Sequence, residues 1–168
     1  MKPNAIGARL PSRTAFLLGF AALLLGIALA IAWVLGVSLF FPDGVIAKAI
    51  ARRDDLIRGH IDYLMMAQFL FLFALLFRQY AIRPPLWVIA ASCFGAFNNP
   101  LSFVLRSLQP KVDPATLPLV EPHFPLMAGV SFTLTTAGFL AAAFLAVRAA
   151  WRAGQATAAA SPKFEQVG

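Results

Sequence analysis

The chain is 168 residues long, 60% hydrophobic and only 12% charged, whereas soluble domains are about half apolar and about a quarter charged. Even a well-folded soluble domain of this size leaves roughly a third of its chain surface in water, so this composition excludes a water-soluble globule and requires lipid. The net charge of +7 does not point to nucleic acid, because the basic residues flank apolar runs, where they meet headgroups and set topology.

Residues 1–13 carry Lys2, Arg9 and Arg13 ahead of an apolar run covering 14–41. That run is far longer than the roughly 7–15 residues of a cleavable signal core and predicts an uncleaved first span. Pro42-Asp43-Gly44 ends it with turn chemistry. Over 45–59, Ile46, Ile50 and Ile57 are interleaved with Lys48, Arg52, Arg53, Asp54, Asp55 and Arg58. Those isoleucines fall near one helical face, which predicts a short amphipathic helix lying at the interface.

The second span is short on apolar residues: 63–77 supplies fifteen before Arg78, and crossing takes about 20 at 1.5 Å each. The span is therefore expected at 60–77, with His60 and Asp62 drawn to the membrane boundary. After a basic turn, a third span at 86–105 contains Asn98-Asn99-Pro100, where the missing proline donor predicts a kink. A Pro-rich loop with Glu121 and His123 leads to a fourth span at 126–147. Residues 154–168 are small and polar and are expected to form a disordered tail.

The expected fold is all-α, a four-helix transmembrane bundle in one membrane domain over 1–153. With both termini cytoplasmic, the inner segments hold eight Lys/Arg against six outside, a small positive-inside bias; the expected location is a bacterial inner membrane. Ladders of small residues at spacing four, Ala22/Gly26/Ala30 and Gly138/Ala142/Ala146/Ala150, let helix backbones approach closely, for bundle packing or for self-association. Cys93 is the single cysteine, so no intramolecular disulfide forms.

Polar and ionisable groups at membrane depth are costly and mark candidate sites: His60, Asp62, Gln68, Asn98, Asn99 and Ser102. His60, Leu64, Ala67 and Gln68 fall near one helical stripe. If it faces the bundle, an imidazole and an amide share an interior that the Asn pair can reach from the third span. His60 reads as a heme-iron ligand, as an interfacial residue without chemistry, or, with Asp62, as a general base. A metal site combining His60, His123 and an acid is a further alternative. The Asn pair either bonds backbone groups freed by Pro100 or binds a polar ligand. The chain has no phosphate-binding Gly loop, no Ser-His-Asp set, no Cys-x-x-Cys and no His-Glu-x-x-His.

Arg58-Gly59-His60-Ile61-Asp62 opening the second span, with Phe94-Gly95-Ala96-Phe97-Asn98-Asn99 in the third, resembles the four-span membrane isomerase family that includes styrene-oxide isomerase and hydroxylaminobenzene mutase. The specific part covers 58–102; the rest is similar in architecture. The resemblance implies a homo-oligomer, a trimer in styrene-oxide isomerase, that binds heme b through the histidine of the second span. Ferric iron there polarises an epoxide oxygen, and a 1,2-hydride shift yields an aldehyde without net redox change. His60 would then be the cofactor and metal ligand, with Gln68 beside it and Asn98, Asn99 and Ser102 near a small apolar substrate. The chain departs from the family at Met66, where an Asn is usual, at Ser102 and Phe103, where a Tyr is usual, and in lacking an early histidine in the first span. A different substrate, heme binding alone, or a non-enzymatic accessory protein stay open.

Overall fold

A computed structural model describes residues 11–111 and 125–160, without the side chains of 158–160. Five helices follow in order: α1 (Ser12–Phe40), α2 (Val45–Ala49), α3 (Arg53–Gln79), α4 (Leu86–Ser107) and α5 (Leu126–Ala160). No strand occurs among the described residues. All but α2 are long and apolar enough to cross a bilayer, and the molecule is an all-α four-helix membrane bundle.

Neighbouring spans run antiparallel. Arg53 at the head of α3 donates to Leu35 O near the end of α1, and Arg52 N–H donates to Ser107 O at the end of α4. α3 is the central helix, packed on α1 along one side and on α4 along the other, with α5 against α4 and touching α3. The α3–α5 contact is aromatic: Phe139 stands edge-on to Phe69 and Phe73, at centroid distances of 5.6 and 5.5 Å.

The α1–α3 seam follows a spacing of alternating three and four, as in coiled coils. Leu17, Ala21, Leu24, Ala28 and Ile31 of α1 meet Leu56, Tyr63, Ala67, Leu70, Ala74 and Phe77 of α3, all buried. Large and small residues alternate on both helices, so backbones approach at the alanines while the larger side chains fill the space between. The Ala22/Gly26/Ala30 ladder lies one or two positions away from this seam and is exposed. A Cβ added at Gly26 would meet nothing within 4 Å. The α5 ladder behaves oppositely: Gly138, Ala142 and Ala146 are buried, and a Cβ at Gly138 would lie 2.6 Å from Ser92 N.

Two boundaries differ from expectation. The interfacial helix expected over 45–59 is divided: α2 ends at Ala49, and residues from Arg53 onward are the first turns of α3 rather than a separate surface helix. The reason is electrostatic and local. Asp54 and Asp55 occupy the first turn of α3, where carboxylates suit the helix dipole, and Asp55 is buried against Arg106 with an Oδ2–Nε distance of 3.8 Å. The helix that carries the second span therefore begins at Arg53, seven residues before the expected start of the span at 60. At the C-terminal end, α5 continues to Ala160, past the expected start of a disordered tail at 154, because the alanine-rich segment favours helix. Residues 161–168 of that expected tail lie outside the described residues.

The α3–α4 turn is tight. Ala81 has φ 51°, a left-handed conformation unusual outside glycine, and Ile82 N–H reaches back to Phe77 O at 2.8 Å. This closes α3 in the manner of a Schellman cap and folds Ile82, Arg83 and Pro84 back toward the start of α1, where Arg13 Nη1 donates to Pro84 O at 2.7 Å.

Candidate functional site on the α1–α3 seam

His60 lies on the buried α3 seam, one step before Tyr63, and is half-buried. Its Nδ1 is 2.9 Å from Ala28 O of α1. A carbonyl only accepts, so Nδ1 carries the proton and donates. In the neutral ring Nε2 is then an unprotonated lone pair, with no hydrogen-bond partner among the described residues. This is the tautomer in which metal-binding histidines are usually held, one nitrogen anchored to a carbonyl and the other left to coordinate.

Gly59 explains how the histidine comes to face α1. It is buried against α4, where an added Cβ would lie 2.9 Å from Val104 Cγ2 and 3.4 Å from Pro100 O. The close α3–α4 crossing at residue 59 leaves its neighbour turned toward α1. One turn further, Tyr63 is 1% exposed and donates its hydroxyl to Phe97 O at 3.1 Å, tying the same stretch of α3 to α4.

The other candidate side chains are not gathered around His60. Gln68 is exposed: the buried stripe through His60 and Ala67 continues to Leu70, and Gln68 falls just beyond it. Asp62 is half-buried with no ion-pair partner among the described residues. Asn98 Nδ2 donates to Phe94 O at 2.8 Å, and the exposed Ser102 donates to Asn99 O at 2.7 Å. Both side chains serve α4 itself, which continues through Pro100.

Asn99 is buried and faces α5. Its Nδ2 donates to Thr135 Oγ1 at 3.0 Å, while its Oδ1 accepts from Ser131 Oγ at 2.5 Å. Thr135 in turn donates to Ser131 O at 2.6 Å. This closed network fastens α4 to α5, and Gly95 makes room for it by lying directly against Thr135. Ser131 and Thr135 escape a reading that seeks charge or amides. Their signal is spacing: Ser131, Thr135, Gly138, Ala142 and Ala146 form one small face of α5.

Glu121 and His123 lie outside the described residues, so the two-histidine metal site has no geometry here. Among the described residues, no group of three His, Cys, Asp or Glu is gathered to hold a metal ion. Cys93 is buried and free.

The fold and site together define a class: a four-span helical membrane protein with one anchored, half-buried histidine on an interhelical seam. No family model, curated protein or solved structure matches this chain.

Proposed function

We propose that this protein is a heme-dependent membrane isomerase that rearranges a small apolar epoxide or a related N–O compound. The observation that carries the reading is the His60 Nδ1–Ala28 O bond of 2.9 Å, which leaves Nε2 free for iron. The donor chemistry fits the cofactor, since one neutral imidazole suffices as an axial ligand. An open apolar trough of about 700 Å³ runs along α1 from Leu29 past Trp33 and Gly36 to Phe41, with His60 outside its lining. Arg53, two turns from His60 on the same face and bonded to Leu35 O, is a cation that could serve a propionate.

Bound heme would supply a Lewis acid for the substrate oxygen in a dry environment. The chain's own part is narrower. Ala28 O fixes the tautomer and orientation of His60, Gly59 and Tyr63 hold that turn of α3 against α4, and the apolar seam excludes water. The orientation consistent with the charge bias puts both termini in the cytoplasm.

The test is an absorption spectrum of the detergent-purified protein, followed by product analysis with aryl and alkyl epoxides and with an arylhydroxylamine. A Soret band and a rearranged, redox-neutral product are expected. A colourless protein after expression with ample heme, or a heme-loaded protein that rearranges none of these compounds, would count against it.

A second reading, a non-enzymatic accessory or assembly protein, has one observation in its favour: the Ala22/Gly26/Ala30 ladder faces outward, unused by the bundle. Small-residue faces of this kind bring membrane helices together. Gly26→Leu is expected to leave the melting temperature unchanged, because the position is open, while shifting cross-linked oligomer toward monomer. If His60→Ala is silent in cells and Gly26→Leu is not, the accessory reading stands and the isomerase reading falls.

A further inference from the structure

We infer that a recess between the start of α1 and the α3–α4 turn binds a phosphate group. The recess holds about 330 Å³ and is lined by Pro11 to Thr14 on one side and Ile82 to Pro84 on the other. It lies where α1 and α4 enter the membrane, at the end of the bundle that also carries the C-terminal part of α5.

Thr14 supplies the first observation. It heads the buried α1 seam and is 1% exposed, yet its hydroxyl Oγ1 has no hydrogen-bond partner among the described residues. Leaving a buried hydroxyl unpaired is unfavourable. Thr14 is also one of the residues that line the recess.

The second observation is the start of the 29-residue α1, which no side chain among the described residues caps. Its leading N–H groups lack intrahelical acceptors and carry the positive end of the helix dipole, an arrangement suited to oxyanions.

Charge is the third. Arg13 is half-buried and positioned by its bond to Pro84 O, with its remaining N–H groups uncommitted. Arg83 is exposed and has no ion pair among the described residues. The charged side chains described at this end are Arg13, Arg78, Arg83, Arg148 and Arg152, and no carboxylate accompanies them among the described residues. At the opposite end Asp43, Asp54 and Asp55 are mixed with the basic residues. A recess lined by Arg13, Arg83, Thr14 and the start of α1 suits a tetrahedral anion with several acceptor oxygens, and arginine binds phosphate through paired hydrogen bonds. The phosphate can come from an anionic phospholipid headgroup at this depth or from free phosphate.

The full-length protein in detergent is titrated with short-chain phosphatidylglycerol, with and without sodium phosphate as competitor, and binding is followed by native mass spectrometry. Arg83→Gln alters an exposed side chain, and Thr14→Val keeps the shape of the buried one, so neither depends on refolding the bundle. Each is expected to weaken binding about tenfold, the scale of one charge-assisted or buried hydrogen bond, while Lys48→Gln at the other end leaves it unchanged. Displacement by sodium phosphate at comparable concentration identifies free phosphate as the ligand; failure to displace identifies the lipid headgroup. Equal binding by the parent, Arg83→Gln and Thr14→Val, or no saturable binding by the parent to either probe, overturns the inference. His60→Ala should not affect the result, which makes this test independent of the isomerase reading.

Discussion

Gly95→Val is expected to separate α4 from α5 and to lower the stability of the bundle by more than about 3 kcal/mol. A Cβ at position 95 would lie 2.6 Å from Thr135 Cβ and 2.8 Å from Thr135 Cα. The obstacle is backbone rather than a flexible side-chain tip, so no rotamer change relieves it and the helices must move apart. Overpacking alone costs about 1–3 kcal/mol. Separation also loosens the Asn99–Thr135 and Ser131–Asn99 hydrogen bonds, each worth roughly 0.6 kcal/mol in a membrane bundle, and opens the close contact between Gly138 and Ser92. Loss of helical circular dichroism during titration with sodium dodecyl sulfate measures the effect. Gly19→Val is the matched control, since a Cβ there meets nothing within 4 Å. If Gly95→Val and Gly19→Val unfold at the same detergent fraction, the α4–α5 contact is not what it is described to be.

On the proposed heme-dependent reading, His60→Ala is expected to abolish the Soret band, or to shift it and allow heme to wash out on dilution. The substitution removes the one anchored imidazole on the seam and leaves no equivalent donor within that stretch of α3. Imidazole added to the buffer should restore part of the band, which distinguishes a lost ligand from a collapsed fold. Gln68→Ala should leave the spectrum unchanged, because Gln68 is exposed away from His60. Asn99→Ala should lower stability without moving the band, because Asn99 is committed to α5. A band of unchanged position and intensity in His60→Ala would remove His60 as the ligand, and with it the basis of the isomerase reading.

These expectations differ from one residue to the next in a way that the sequence alone does not provide. His60 and Asn99 are both polar groups at membrane depth, and in the sequence they look like partners in one interior. In the structure they face different helices, α1 and α5. Gln68 sits one residue from the buried Ala67 and is exposed. The α1 ladder Ala22/Gly26/Ala30 satisfies the small-residue spacing as well as the α5 ladder does, but only the α5 ladder is buried in the bundle.

By itself the sequence determined the all-α class and the four helices apolar enough to cross a membrane. In hydrocarbon each backbone group must be bonded within its own segment, so a long apolar run is committed to a helix, and counting residues gives its depth. Rotation about the helix axis is a different matter. Lipid tails are as apolar as a protein interior, so the seam-facing and lipid-facing sides of α1 carry the same kinds of residue, and no amphipathic pattern separates them. What decides is shape: where Ala21, Ala28, Ala67 and Ala74 let α1 and α3 close together, where Gly59 admits Val104, and where Gly95 admits Thr135. Those fits exist only between helices, and they turn His60 toward Ala28 and Asn99 toward α5.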